Sequence, residues 1–244
     1  MRTVATIEAR MGSTRLPGKV LANISGRPAL EVMIERLRLV PELDDIVIAT
    51  TTAEADCEID QLANRVSVRS WRGSEDDVLC RVLDAATAHQ ADVIVELTGD
   101  LPLIDPAIVS RVVQLYRHAR VDYASNVLTR TYPIGMDTQV FSCAVLADVA
   151  RRTDDATDRE HVSLYIYKHP EIYSLANVPA PPEETRPDLR LTLDTAEDLT
   201  LIRTVHAALA AAEGPGFPLS SMLAFLDARP DIAAINAAVP HRWV

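Results

Sequence analysis

The chain has 244 residues, 48% hydrophobic and 24% charged, with a formal charge of −11 at pH 7, three cysteines and eight glycines. That length fits one α/β domain that needs no disulfide to hold its core, and the acidity excludes a general nucleic-acid or anionic-membrane face. Cys57, Cys80 and Cys143 show no CxxC spacing, no apolar run reaches the ~20 residues of a membrane span, and Glu8 and Arg10 break the N-terminal apolar stretch, so a cytoplasmic protein is expected.

Thr3–Glu8 reads as a first strand, and after a loop Pro28–Leu39 has helical spacing with Pro28 suited to the first turn. Ile46–Thr50 is a buried-strand run, Ala55–Asn64 a helix, Val66–Ser70 a strand, and Asp76–His89 a helix with an apolar face. Val93–Leu97 is another buried strand, and Asp105-Pro106 caps a helix through about His118. The alternation predicts an α/β fold with a mainly parallel twisted sheet flanked by helices. The rhythm then changes: Met136–Phe141 and Ile172–Val178 read as strands, Ala144–Arg151 and Asp158–Tyr167 as helices. Residues of about 126–180 therefore form a smaller α+β insertion in a single domain spanning 1–244. Leu189–Leu193 resumes a strand, Ala196–Ala212 is a long helix, and about 217–244 forms a helical tail containing Leu219–Asp227 and Ile232–Asn236.

The richest segment is ARMGSTRLPGK, Ala9 to Lys19, directly after the first strand. Within an acidic chain it carries Arg10, Arg15 and Lys19 and no acid, together with Gly12, Gly18 and the Ser13-Thr14 pair. Loops at the carboxyl ends of parallel strands are where open α/β sheets bind ligands, and glycine backbone, hydroxyls and cations together suit a polyphosphate. The spacing matches neither the P-loop nor the GxGxxG fingerprint. A magnesium–nucleotide complex takes one or two protein carboxylates, so the loop predicts acids at neighbouring strand ends. Asp100, after VIVELTG, and Asp194, after LRLTL, fit, although Asp194 is equally suited to capping the next helix. Asp56, Glu58 and Asp60 read as a solvated helix face. Arg72-Gly73-Ser74 reads as a nucleotide-recognition loop ahead of a helix start, and His161, between Arg159 and Glu160, is as suited to a helix start as to substrate contact.

These segments resemble the cytidylyltransferases, a family that includes CMP-Kdo synthetases, acylneuraminate cytidylyltransferases and the spore-coat polysaccharide biosynthesis protein F group. ARMGSTRLPGKVL, IVIATT, RGSEDDVL, TGDLPLIDP, DYASN, YPIGMDTQVFS, REHVSLYIY, RPDLRLTLDTAEDL and ARPDIAAIN carry the resemblance in order along nearly the whole chain. It implies a dimeric GT-A-like nucleotidyltransferase that uses Mg2+ and a nucleoside triphosphate, CTP favoured, against a small-molecule acceptor. Arg10, Arg15 and Lys19 would meet the triphosphate, with Ala9, Met11, Gly12 and Ser13 in the loop and Arg72, Gly73 and Ser74 near the base. Arg10, Lys19 and Asp100 would act in catalysis, and Asp100 and Asp194 would hold magnesium. Asp137, Gln139, Arg159 and His161 would face the acceptor.

Three positions depart from the family pattern: Glu8 stands where glutamine is common, Gln139 where an acid is common, and Ile134 where a polar residue is common. Glu8 adds negative charge beside a triphosphate, and the other two bear on the acceptor. A GT-A glycosyltransferase is the less suited alternative, because the chain has no Asp-x-Asp motif. A non-catalytic nucleotide-binding subunit is a third reading, kept open by Glu8 and Gln139.

Overall fold

The computed structural model describes residues 1–241. The first half builds the parallel core from β1 (Thr3–Glu8), β4 (Asp45–Thr51), β5 (Arg69–Gly73) and β6 (Val93–Thr98). A two-stranded hairpin, β2 (Asn23–Ile24) and β3 (Arg27–Pro28), precedes α1 (Ala29–Leu37). Pro28 thus closes the hairpin and caps α1, one position earlier than its expected place inside the helix. The helices α2 (Cys57–Arg65), α3 (Val78–Ala88) and α4 (Pro106–Ala119) return the chain between strands, with Asp105 capping α4 through a 2.8 Å bond from the Ala107 N–H. The second half adds β7 (Tyr123–Ser125), β8 (Gln139–Ser142), α5 (Cys143–Arg152), α6 (Ala156–Glu160), α7 (Leu164–Lys168) and β9 (Leu175–Asn177). The chain continues through α8 (Ala196–Glu213), α9 (Leu219–Ala228) and α10 (Pro230–Ala233).

Seven strands form one sheet in the order β5-β4-β1-β6-β8-β7-β9. β1 pairs in parallel with β4 and β6, whereas β8 runs antiparallel to both β6 and β7. The strands of the later segment therefore extend the same sheet. Alternation along β1 sends Ala5 and Ile7 toward α1, α2 and α4, and Val4 toward α3, α5 and α7. Both faces of β1 and β6 are covered, which explains their near-continuous apolar runs. A separate apolar cluster packs α8 and α9 against the hairpin and α1. Arg36 fastens this cluster, buried and donating to the carbonyls of Ile104 and Phe217 at 2.7 and 2.8 Å.

Several expected boundaries shift. Val66–Ser70 becomes β5 three residues further on at both ends, because Val66 and Ser67 make the turn out of α2 while Arg69–Gly73 make the ladder with β4. Tyr123–Ser125 is a strand that the sequence pattern did not isolate. The expected helix over Asp158–Tyr167 breaks into α6 and α7 at His161. The run Leu189–Leu193 alternates as a strand should, yet it makes only an isolated parallel bridge between Arg190 and Ile134. Its next amide, Leu193 N–H, leaves that partner and donates to the Asp100 carbonyl at 2.8 Å. Gly135 permits this crossing: its φ is +110°, and a Cβ there would stand 2.5 Å from the Leu191 carbonyl carbon.

Candidate active site

The parallel strands end together along one edge of the sheet, and Ala9–Lys19 crosses that edge from β1. The loop is held from below: Asp56 is buried, accepts from the Met11 N–H at 2.7 Å, and receives the Thr51 hydroxyl on its other oxygen. Asp56 therefore anchors the loop, and the expectation of a solvated helix face fails for it because it lies before α2 and turns inward. The Gly18 and Ser13 N–H groups both donate to the Met11 carbonyl, at 3.0 and 2.9 Å, folding the loop back on itself. A cleft of about 420 Å³ opens above it, lined by Ala9, Arg10, Gly12, Ser13, Arg15 and Lys19.

The two expected metal acids meet in this cleft. Lys19 Nζ donates to Asp100 Oδ2 at 2.6 Å and to Asp194 Oδ1 at 2.7 Å, so both carboxylates converge on a single cation. Arg15 reaches the same Asp194 oxygen at 3.0 Å, and Arg190 holds the other at 3.2 Å. Burial alone would lower the Lys19 ammonium, but Asp100 and Asp194 outweigh it and raise its pKa. Burial likewise disfavours the Asp194 carboxylate, yet Lys19, Arg15 and Arg190 hold it below its ordinary range. Asp100 is set in place by the strand end itself. Thr98 donates to its Oδ1 at 2.6 Å, and the Gly99 N–H bonds the Glu8 carbonyl at 2.8 Å. A Cβ on Gly99 would lie 2.9 Å from that carbonyl oxygen and 3.1 Å from Ala9 Cβ, so this close approach of β6 to β1 requires glycine.

Arg190 belongs to a buried network. It contacts Asp198 through Nε at 3.3 Å and Nη2 at 3.1 Å, while Asp198 also accepts from the backbone N–H groups of Asp194 and Thr195, each at 3.0 Å. Thr195 and Asp198 form a reciprocal capping box at the start of α8. Thr195 is the cap, which leaves the Asp194 carboxylate facing the cleft. From the tail, Asn236 donates to Asp198 Oδ1 at 2.7 Å and to the Arg190 carbonyl at 3.1 Å, and His241 Nδ1 lies 3.0 Å from Arg190 Nη1.

A second cavity of about 480 Å³ adjoins the first and shares Glu8, Thr98, Glu160 and His161 with it. Asp137, Gln139 and His161, three of the four residues expected to face an acceptor, line it together. Asp137 receives the Arg130 guanidinium in a two-pronged pair, both bonds 2.8 Å. Gln139 accepts from the Tyr123 and Ser163 hydroxyls. The break between α6 and α7 delivers Glu160 and His161 to the junction of the two cavities.

Other expected residues go elsewhere. Arg159 lies outside both cavities, donating to the carbonyls of Thr153 and Ala150 at 2.9 and 2.8 Å and pairing with Asp77 at 3.3 Å; it staples α6 to α5 and α3. The Arg72 guanidinium is likewise used on backbone, at 2.9 Å from the Thr51 carbonyl and 2.7 Å from that of Ala53. Gly73 admits Arg81, whose Cγ would stand 3.0 Å from an added Cβ, and Arg81 Nη1 binds the Ser74 carbonyl. Neither Arg72, Gly73 nor Ser74 lines the cleft, whereas Arg81 does. This loop still reaches the Ala9–Lys19 loop one residue later, through Glu75 and Arg10 at 3.2 Å. Ile134 is buried in the crossing over Leu191 and does not line the second cavity.

Sequence reasoning missed Arg81, Glu96, Arg130, Arg190 and Asp198. For Glu96 the signal was present, an acid inside the otherwise apolar run VIVELT; for Arg190 and Asp198 it was their spacing of four on either side of Asp194.

A family model described as "Cytidylyltransferase" matches residues 4–214. The spore coat polysaccharide biosynthesis protein SpsF of Bacillus subtilis is 34% identical over 237 residues, covering 95% of this chain and 97% of that protein. A solved cytidylyltransferase from Leptospira borgpetersenii superposes with a TM-score of 0.89 at 30% identity, over the whole of both chains. A solved CMP:2-keto-3-deoxy-manno-octonic acid synthetase complexed with CTP shares the fold, with a TM-score of 0.65 at 19% identity over 85% of this chain and 99% of that one.

Proposed function

This chain belongs to the cytidylyltransferase family, and from that premise we propose that it transfers CMP from CTP to a small acceptor and releases pyrophosphate. The observation that carries this reading is the clamp of Lys19 on Asp100 and Asp194 beside the Ala9–Lys19 loop, open to a cleft that runs into a second cavity. CTP as donor is supported by the solved synthetase of the same fold that was captured with CTP.

In the reaction, an acceptor oxygen attacks the α-phosphorus, a new P–O bond forms, and the bond to the pyrophosphate oxygen breaks. Negative charge grows on the leaving oxygens, where Arg10, Arg15 and Lys19 would meet it. Asp100 and Asp194 fit a magnesium ion: two hard oxygen donors already share one cation, and such an ion takes one or two carboxylates beside phosphate oxygens. Magnesium held there would supply charge neutralisation at the phosphates. Lys19 would exchange its carboxylates for phosphate oxygens, while Arg190 keeps Asp194 oriented. His161 and Glu160 would border the reacting groups at the junction.

A thermal-shift panel of the four triphosphates with magnesium tests the donor, since a ligand at 100 times its Kd stabilises by about 2.7 kcal/mol. CTP should give the largest shift; equal shifts for all four would remove the donor assignment. Asp100→Asn should lower pyrophosphate release by roughly 10²–10³ while its unfolding transition persists. Near-normal turnover in that variant would remove the metal assignment.

A further inference from the structure

The acceptor cavity is acidic. Its described lining holds Glu8, Glu96, Asp137 and Glu160, no lysine, and one arginine, Arg130, whose fork is held on Asp137. An acceptor carboxylate needs a cationic partner, and the arginine at hand is engaged. Glu96 is only 4% exposed, yet its Oε2 has no hydrogen-bond donor, and Glu8 Oε1 is buried in the same condition. The parallel register pairs Thr6 with Glu96 and Glu8 with Thr98, so the two carboxyl groups leave the same face of the sheet one pleat apart.

Ser163 offers Glu96 a hydrogen bond and the Arg81 guanidinium acts on Glu8, yet the two buried carboxyls still confront each other, and such a pair needs a shared proton or a further cation. Burial pushes Glu96 up to about 7, and burial with the neighbouring Glu96 carboxyl pushes Glu8 well above its ordinary value. The apolar wall of this cavity favours an organic cation over a bare metal ion. Val127, Leu128 and Tyr167 supply apolar wall for a carbon skeleton. His161 and His241 also line the cavity, and the phosphate-loop cations lie in the adjoining cleft.

We propose that the acceptor carries a protonated amino group that seats on Glu8 and Glu96, its nucleophilic oxygen directed toward the phosphate loop. The proposal rests on the nucleotidyl-transfer reading above and names the acceptor class for that site. The ammonium takes the place of the shared proton and gives both orphaned oxygens a donor.

Matched probe pairs test it by isothermal titration into the full chain: 2-aminoethylphosphonate against 2-hydroxyethylphosphonate, and glucosamine 1-phosphate against glucose 1-phosphate. At least one amine should bind at least about tenfold more tightly than its hydroxyl counterpart, and Glu96→Gln should abolish the preference. The variant keeps the side-chain shape and removes a buried charge, so folding is checked by its unfolding transition. No amine preference in either pair, the outcome of a shared proton only, overturns the proposal, as does a preference that survives in Glu96→Gln. CTP shifts are recorded on the same protein. A CTP shift without amine preference refutes this proposal alone; no shift with any triphosphate refutes nucleotidyl transfer and this proposal with it.

Discussion

Replacing Arg190 by methionine should expose how the acid end of the cleft is held. The Arg190 and Asp198 side chains are 4% and 0% exposed, and Arg190 reaches Asp198 at 3.1 Å and Asp194 at 3.2 Å. Methionine keeps most of the apolar stem and removes the charge, leaving Asp198 buried with neutral donors only: two backbone N–H groups and Asn236. Breaking a buried pair by removing one partner costs about 3–5 kcal/mol. The three surviving donors argue for the lower part of that range. For a chain of this size that is a fall in Tm of roughly 6–20 °C. Urea unfolding of the Arg190→Met, Asp198→Asn and double variants closes a cycle, and neighbours in one network should couple by about 0.5–3 kcal/mol. A loss below about 1 kcal/mol for Arg190→Met, or strict additivity in the cycle, would refute the view that this network holds Asp194 in place.

Further outcomes are expected from the same geometry. Gly99→Ala drives a methyl group against the Glu8 carbonyl at 2.9 Å, so it should cost about 1–3 kcal/mol in chemical unfolding and lower turnover by displacing Asp100; unchanged stability and rate would contradict the close approach. The carboxyl of Glu96 is raised from 4.5 to about 7 in the folded chain, so it binds its proton more tightly folded than unfolded. Its contribution to stability is complete below 4.5 and is lost as pH rises through about 7, and Glu8 acts in the same direction. Urea midpoints followed across that window should fall less steeply for Glu96→Gln than for the parent, and identical slopes would remove the assignment. Arg159→Gln should destabilise the contact of α6 with α5 and α3 while leaving the acceptor KM within about twofold, as expected of a staple outside the cavity; a KM-specific defect would return Arg159 to the acceptor site.

Much of this was legible because the relevant physics is local. The apolar runs of β1, β4 and β6 fixed a parallel core, and the cationic loop after the first strand marked the sheet edge where the cleft opens. Asp100 and Asp194 could be singled out because each ends a strand-like run, and chain topology then carries them to the same edge. Arg72 and Arg159 were misplaced because sequence shows an arginine's charge but not the carbonyls on which a fold will use it. Asp56 looked solvated for the same reason: its partners, Thr51 and the Met11 N–H, come from other turns. The expected strand at Leu189–Leu193 had the right alternation, but its ladder is cut short when the chain leaves Ile134 for Asp100.

Asn236 and His241 both touch Arg190, which in turn grips Asp194, and His241 also borders the acceptor cavity. A shortened version ending after α9 would preserve every strand of the sheet and all of the phosphate loop, yet it would strip two supports from the acid that faces the loop. Fusions and deletions beyond α9 should therefore disturb Asp194, whereas at the other end of the chain Met1 is exposed.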